Sequence, residues 1–124
     1  MKVTDLTHII YSDMPVFPGT NPPIFEKVHT LEKDGFKEAK ITMYSHTGTH
    51  IDAPAHILSD GPSLNDLDIE HFIGNATILD FSNENVKIIG LDSLKFYEEK
   101  IKNVEFLIIK TGWSKYWGHK KYFE

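Results

Sequence analysis

The sequence predicts a single domain of mixed α/β class. Short runs of apolar and β-branched residues recur along its 124 residues, and turns containing Pro and Gly separate them. Residues 91–101 instead carry apolar side chains at helical spacing. Strands interrupted by one clear amphipathic helix are typical of α/β and α+β domains, and a chain of this length closes one hydrophobic core. Residues 1–124 are therefore expected to form one domain.

The first part of the chain is predicted to contain two strands and a stiff loop. Residues 3–11 (VTDLTHIIY) form the first predicted strand, and residues 12–23 follow as a loop held by four prolines and Gly19. Residues 38–43 alternate between polar and apolar side chains, which is the clearest strand pattern in the sequence. That strand delivers the chain to His46.

Five further elements are predicted after residue 58. In order, they are a turn at 59–62, a short helix at 64–72, a mostly buried strand at 76–81, the amphipathic helix at 91–101 and a buried strand at 104–109. Gly74 ends the first of these helices, and Gly112 follows the last strand. Residues 119–124 show no recognisable element and are expected to form a poorly ordered polar tail.

The net charge and the cysteine content limit which partners the chain can bind and which side chains can hold a metal. A net charge of -5, with 13 basic residues that include no arginine, argues against a nucleic-acid partner. Cysteine is absent, so any metal must be held by His, Asp, Glu, carbonyl groups or water. No apolar run approaches the roughly 20 residues of a membrane span, and the first residues are polar. We expect a cytoplasmic protein without a membrane partner.

Residues 46–56 (HTGTHIDAPAH) contain four side chains that commonly bind metals. These are His46, His50, Asp52 and His56, at spacings of four, two and four. On an extended chain the first two would lie about 13 Å apart, whereas each must bring a nitrogen within about 2.1 Å of a shared ion. The chain therefore has to bend between them. The other histidines have no ligand-type neighbours at such spacing and are expected to be ordinary surface or core residues.

Glycine and proline supply the bends that this segment needs. Gly48 can adopt a positive φ, and the hydroxyl groups of Thr47 and Thr49 can bond nearby backbone groups. Pro54 turns the chain again, so that His56 can approach the metal site from another side without necessarily binding the ion. That position suits a general base.

These residue types suit metal-assisted hydrolysis. The expected ligands are His46, His50 and Asp52, and they leave positions open on Zn²⁺ or, as the alternative, Mn²⁺. Such an ion lowers the pKa of water and polarises a carbonyl group, while His56 could pass a proton to the leaving nitrogen or oxygen. Without cysteine or a Gly-x-Ser-x-Gly elbow, nothing favours a covalent nucleophile.

At these residues the chain resembles a known family. The pattern HxGTHxDxPxH at residues 46–56 resembles the signature of the cyclase family of metal-dependent hydrolases, which includes bacterial kynurenine formamidase and isatin hydrolase. Residues 13–19 resemble the family's N-terminal loop, and residues 75–81 and 110–113 resemble its later strands. The likeness extends over nearly the whole chain.

The resemblance implies a fold, a site and a substrate class. The fold is the swivelling β/β/α domain, assembled as a homodimer or homotetramer. His46, His50 and Asp52 would be metal ligands, with Asp52 bridging to a second metal in binuclear members, and His56 would donate and accept the proton. Phe17 would contact the substrate ring, or else serve as a hydrophobic plug. The substrate would be an N-formyl or cyclic amide of an aromatic compound, as in the arylformamidase step of tryptophan catabolism.

The chain departs from this family in length. Members are longer and carry a further His and Glu, ligands of the second metal, in their C-terminal part; His119 and Glu124 are not expected to replace them. The domain at 1–124 is therefore expected to lack its C-terminal part, or to be a reduced member with one metal or none. Three other functions stay open, namely an isatin-type hydrolase, a non-catalytic module that binds a metal or small molecule, and a structural metal clip.

Overall fold

The computed structural model describes residues 2–83 and 88–124 and has the predicted mixed α/β composition. Its strands and helices are β1 (Ile24–His29), α1 (Leu31–Asp34), β2 (Glu38–Thr42), β3 (Ala76–Asp80), α2 (Leu91–Lys95), α3 (Glu98–Ile101) and β4 (Phe106–Lys110). Short 3₁₀ turns lie at Pro54–His56, Leu64–Asp66, Ile69–Phe72, Trp113–Tyr116 and Lys120–Phe123. Within the described ranges, no helix has the length and apolar character that crossing a membrane requires.

Strands β1 and β2 form an antiparallel hairpin that leads into the site. Phe25 pairs with Ile41, and the register shifts between Lys27 and His29. The predicted strand at 38–43 is confirmed, ending at Thr42, whereas β1 was not predicted. Strand β1 begins with two adjacent apolar residues, which interrupt the alternation of polar and apolar side chains that identifies a strand. Phe25 is 39% exposed and Ile41 55%, so the described residues leave much of the hairpin's apolar surface uncovered.

Strands β3 and β4 form a parallel pair, in which Ile78 lies opposite Ile108. Both strands were predicted, and the small core lies beside them, with Leu79 1% and Phe81 5% exposed. Ile78 is 59% exposed, so the prediction of a mostly buried strand holds on one face only. A parallel pair of this kind normally lies between covering layers.

The predicted strand at 3–11 is wrong, while the predicted loop at 12–23 is confirmed. A strand needs a hydrogen-bonding partner strand, and the described residues provide none for this segment. The backbone N–H of His8 instead donates to the Thr49 hydroxyl at 3.1 Å. The N-terminal segment thus packs on the segment that contains the candidate ligands without joining a sheet.

Both predicted helices are interrupted. The helix at 64–72 is two 3₁₀ turns, because Leu67 (ψ 136°) and Asp68 (ψ 147°) have extended backbone. The helix at 91–101 divides into α2 and α3 at Tyr97, whose φ of -112° and ψ of 9° leave the helical region. The Tyr97 ring packs edge-on against Phe81 at 5.9 Å, which gives a packing reason for the break.

The expectation of a poorly ordered tail at 119–124 is also wrong. Residues Lys120–Phe123 form a turn, and the indole Nε1–H of Trp113 donates to the Tyr122 carbonyl at 3.1 Å. Trp117 packs edge-on against Tyr122 with ring centroids 5.0 Å apart. The lysines of this segment led to the prediction of a polar tail, but its aromatic residues determine how it packs.

An ion pair links the carboxyl ends of β3 and β4. The Lys110 ammonium lies 2.6 Å from the Asp80 carboxylate, which also accepts hydrogen bonds from the Ser82 backbone and hydroxyl. These donors, Lys110 first, hold the pKa of Asp80 well below its ordinary value of 3.8. The ionised carboxylate therefore stabilises the fold above pH 3.8, and this contribution is lost as the pH falls through the lower folded-state pKa.

Replacing Asp80 with Asn should lower the Tm slightly at pH 7. The difference from the wild type should begin to narrow as the pH falls towards 3.8, and it should shrink in high salt because the pair is partly exposed. Thermal melts from pH 7 to pH 3 measure this. Asp92→Asn is the matched control, since Asp92 is 93% exposed and pairs only within its own helix. A Tm difference that stays constant with pH would show that the carboxylate charge does not contribute.

Candidate metal centre

The loop after β2 reverses direction at Gly48, as predicted. Gly48 has a φ of +64°, a conformation that residues with a side chain rarely adopt. A Cβ at this position would lie 3.4 Å from Met14 Cε and 3.5 Å from Ile10 Cγ1. Thr47 beside it is 5% exposed. The turn is thus fixed both by backbone conformation and by packing on the N-terminal segment.

This reversal brings three of the predicted residues together. His46 Nδ1 lies 2.7 Å from Asp52 Oδ1 and 3.1 Å from His50 Nε2, and His50 Nε2 lies 3.3 Å from Asp52 Oδ1. Two atoms bound tetrahedrally at about 2.1 Å from one ion lie about 3.4 Å apart. Two of the observed spacings, 3.1 and 3.3 Å, are close to that value and the third, 2.7 Å, is shorter, so these three side chains could hold a divalent metal ion.

A hydrogen bond within the loop orients His50. Its Nδ1 lies 2.9 Å from the Gly48 carbonyl oxygen, which can only accept. Nδ1 therefore carries a proton, and in the neutral ring the lone pair of Nε2 faces His46 and Asp52. Metal-binding histidines commonly have such a backbone partner on the other ring nitrogen.

Pro54 turns the chain a second time and places His56 beside the cluster. The 3₁₀ turn Pro54–His56 sets the His56 ring 4.1 Å from the His46 ring, centroid to centroid. Gly61 packs tightly behind this turn, because a Cβ there would lie 2.7 Å from the Pro54 carbonyl carbon. His56 thus adjoins the three-residue cluster without belonging to it.

Two residues near the start of the chain, one predicted and one not, make aromatic contacts with residues far along the sequence. Phe17, singled out from the sequence, is 70% exposed and meets Phe123 edge-on at 6.5 Å. His8 was missed: besides its bond to Thr49, its ring stacks on Trp117 at 4.1 Å. No local pattern marks His8, because both contacts join residues far apart in sequence.

The centre is open to solvent in the described chain. The side chains of its three members are 31% to 53% exposed, the most accessible being Asp52. A carbonyl substrate and a water could therefore reach an ion held there. The open positions needed for a catalytic rather than a structural site are sterically available.

Comparisons with known proteins identify the family of this chain. The family model Cyclase, described as "Putative cyclase", matches residues 4–124. Kynurenine formamidase of Bacillus anthracis is 36% identical over 112 residues, which are 90% of this chain and 52% of that protein. Kynurenine formamidase of Bacillus mycoides (strain KBAB4) is 37% identical over 109 residues, 87% of this chain and 50% of that protein. The chain spans about half the length of these curated relatives.

Two solved structures share the fold. An isatin hydrolase bound to the product analogue thioisatinate has a TM-score of 0.77 at 23% identity, covering 97% of this chain and 53% of that one. Isatin hydrolase A from Labrenzia aggregata, bound to benzyl benzoate, has a TM-score of 0.75 at 27% identity, covering 90% and 51%. The family model matches almost the whole length of this chain, and the chain has the fold of these two structures. The chain therefore belongs to the Cyclase family.

Proposed function

We propose that this chain carries the metal centre of a metal-dependent hydrolase that cleaves an N-formyl or cyclic amide of an aromatic compound. The observation that carries the proposal is the convergence of His46 Nδ1, His50 Nε2 and Asp52 Oδ1 within 2.7 to 3.3 Å of one another. The hydrogen bond from His50 to the Gly48 carbonyl favours, in the neutral ring, the tautomer that a ligand needs. The relatives' names, kynurenine formamidase and isatin hydrolase, support an amide as the substrate.

The chemistry divides between the ion and the side chains of the chain. When bound, a divalent ion would act as a Lewis acid that polarises the amide carbonyl and makes water a better nucleophile. His46, His50 and Asp52 would hold it. His56, next to His46, would take the proton from the attacking water and deliver it to the leaving nitrogen. Phe17 would contact the aromatic ring of the substrate.

The donor atoms of the site support a choice of metal, and the exposed apolar surface supports an oligomer. Two imidazoles and one carboxylate favour Zn²⁺, with Mn²⁺ as the alternative, because Mn²⁺ prefers a larger share of oxygen donors. Exposed apolar residues on the β1–β2 hairpin, such as Ile41, suit burial in a homodimer or homotetramer. The expected compartment remains the cytoplasm.

A second candidate function is a module that binds a metal or small molecule without catalysis. It is favoured by the small number of ligands, since within the described residues only His46, His50 and Asp52 form a metal-binding group. A module of this kind would bind the ion and turn over no amide.

Turnover and metal content together test the proposal. The protein, purified in the presence of Zn²⁺ or Mn²⁺, is assayed for hydrolysis of N-formylkynurenine and of isatin, and its bound metal is counted by mass spectrometry. One ion per chain and metal-dependent turnover of either substrate support a hydrolase. A bound ion with no turnover of either substrate supports the binding module. The absence of a bound ion contradicts both the hydrolase and a module that binds a metal.

Replacing His50 with Ala should weaken metal binding by at least about 100-fold, because it removes one of three side-chain donors. The measurement is a competition titration with a chelator of known affinity. His71→Ala is the control, since His71 lies outside the cluster, and its affinity should match the wild type. Equal affinity in the His50 variant would show that the ion binds elsewhere.

Replacing His56 with Ala should separate catalysis from metal binding. We expect kcat to fall by about 10²- to 10⁴-fold, as for loss of a general base, while the metal content stays at the wild-type level. Steady-state kinetics and metal analysis are made on the same preparation. A variant that keeps its turnover would remove His56 from the mechanism, and one that loses its metal would make His56 a ligand.

A further inference from the structure

The ring of Phe17 is open to solvent although its loop packs against the metal centre. Met14, three residues earlier, is 2% exposed and adjoins Gly48. Met14 therefore fills the apolar space beneath this loop, and Phe17, 70% exposed, does not act as a plug within the described residues. Three residues of chain span at most about 11 Å, so the Phe17 backbone lies within that distance of Met14, whose side chain contacts the loop of the candidate ligands.

Phe123 is the aromatic residue that meets Phe17, and its position is fixed. The two ring planes lie at 86° with centroids 6.5 Å apart. The turn that carries Phe123 is held by the hydrogen bond from Trp113 Nε1–H to the Tyr122 carbonyl. A ring fixed before binding loses little conformational freedom when a ligand contacts it.

His8 connects this pair of rings to the metal centre. Its backbone N–H donates to Thr49, the residue before His50, and its ring stacks on Trp117 with the planes 5° apart. Trp117 in turn packs edge-on against Tyr122, the residue before Phe123. The aromatic pair and the candidate ligands therefore belong to one packed unit.

Perpendicular rings form a corner that suits a planar ligand. In an edge-to-face pair, the ring that points its edge at the other keeps both of its own faces free. A third ring can therefore stack on a face of that ring while its edge meets the second ring. We propose, resting on the hydrolase function above and on the role proposed there for Phe17, that Phe123 also binds the aromatic ring of the amide substrate. Phe123 is then a specificity-determining residue that favours aromatic over saturated amides.

Two formamides that differ only in the ring test this role, N-phenylformamide and N-cyclohexylformamide. Phe123→Leu should raise KM for the phenyl compound about two- to tenfold, the range expected for one aromatic contact. Its kcat should stay within about twofold, and KM for the cyclohexyl compound should not change, because only ring binding is lost. Phe123→Tyr, which keeps a ring, should retain the wild-type KM for both.

Phe96→Leu is the matched control, because Phe96 is 90% exposed and lies at the end of α2, so both KM values should stay at the wild-type level. An unchanged KM for N-phenylformamide in Phe123→Leu would overturn the proposal. An equal rise for both formamides would also overturn it, since that result indicates general damage to the site.

A binding measurement keeps this inference separate from the proposed activity. If the wild type hydrolyses neither formamide, the activity is contradicted on these substrates, and saturation-transfer NMR then decides ring binding. The wild type should saturate the ring protons of N-phenylformamide more strongly than those of N-cyclohexylformamide, and Phe123→Leu should lose this difference. No such difference in the wild type would overturn the role of Phe123.

Discussion

Two histidines four residues apart cannot reach one ion from an extended chain, so the candidate metal centre depends on the reversal at Gly48. Its φ of +64° turns the chain, and its carbonyl accepts the hydrogen bond that fixes the tautomer of His50. A side chain at this position would be strained in that conformation and would contact Met14. One glycine thus sets both the distance between His46 and His50 and the direction of the donor atom.

The surroundings of this loop explain how a small domain can present an ordered but open site. The N-terminal segment supports the loop from one side through Met14. His8 supports it from another side, because its backbone donates to Thr49 while its ring stacks on Trp117. Elsewhere the described residues cover little apolar surface, as the exposure of Ile78 on the parallel pair illustrates. These uncovered faces are where the proposed homo-oligomer would bury apolar area.

Local features of the site could be predicted from the sequence, and distant contacts could not. The bend at Gly48 follows from short-range geometry, because the spacing of the candidate ligands requires it. The break at Tyr97 does not, since it accompanies packing on Phe81, which no helical pattern encodes. Likewise, the hydrogen bond from His8 to Thr49 joins residues 41 positions apart. The predicted N-terminal strand was wrong because the sequence alone cannot show whether a segment has a partner strand.

The central assignment is a metal ion held between His46, His50 and Asp52, and anomalous X-ray diffraction from Zn²⁺-loaded crystals tests it most directly. A peak at the zinc absorption edge is expected within about 2.0 to 2.3 Å of the donor atoms His46 Nδ1, His50 Nε2 and an Asp52 carboxylate oxygen. A peak elsewhere in the molecule, or none at this loop under saturating Zn²⁺, would contradict the assignment.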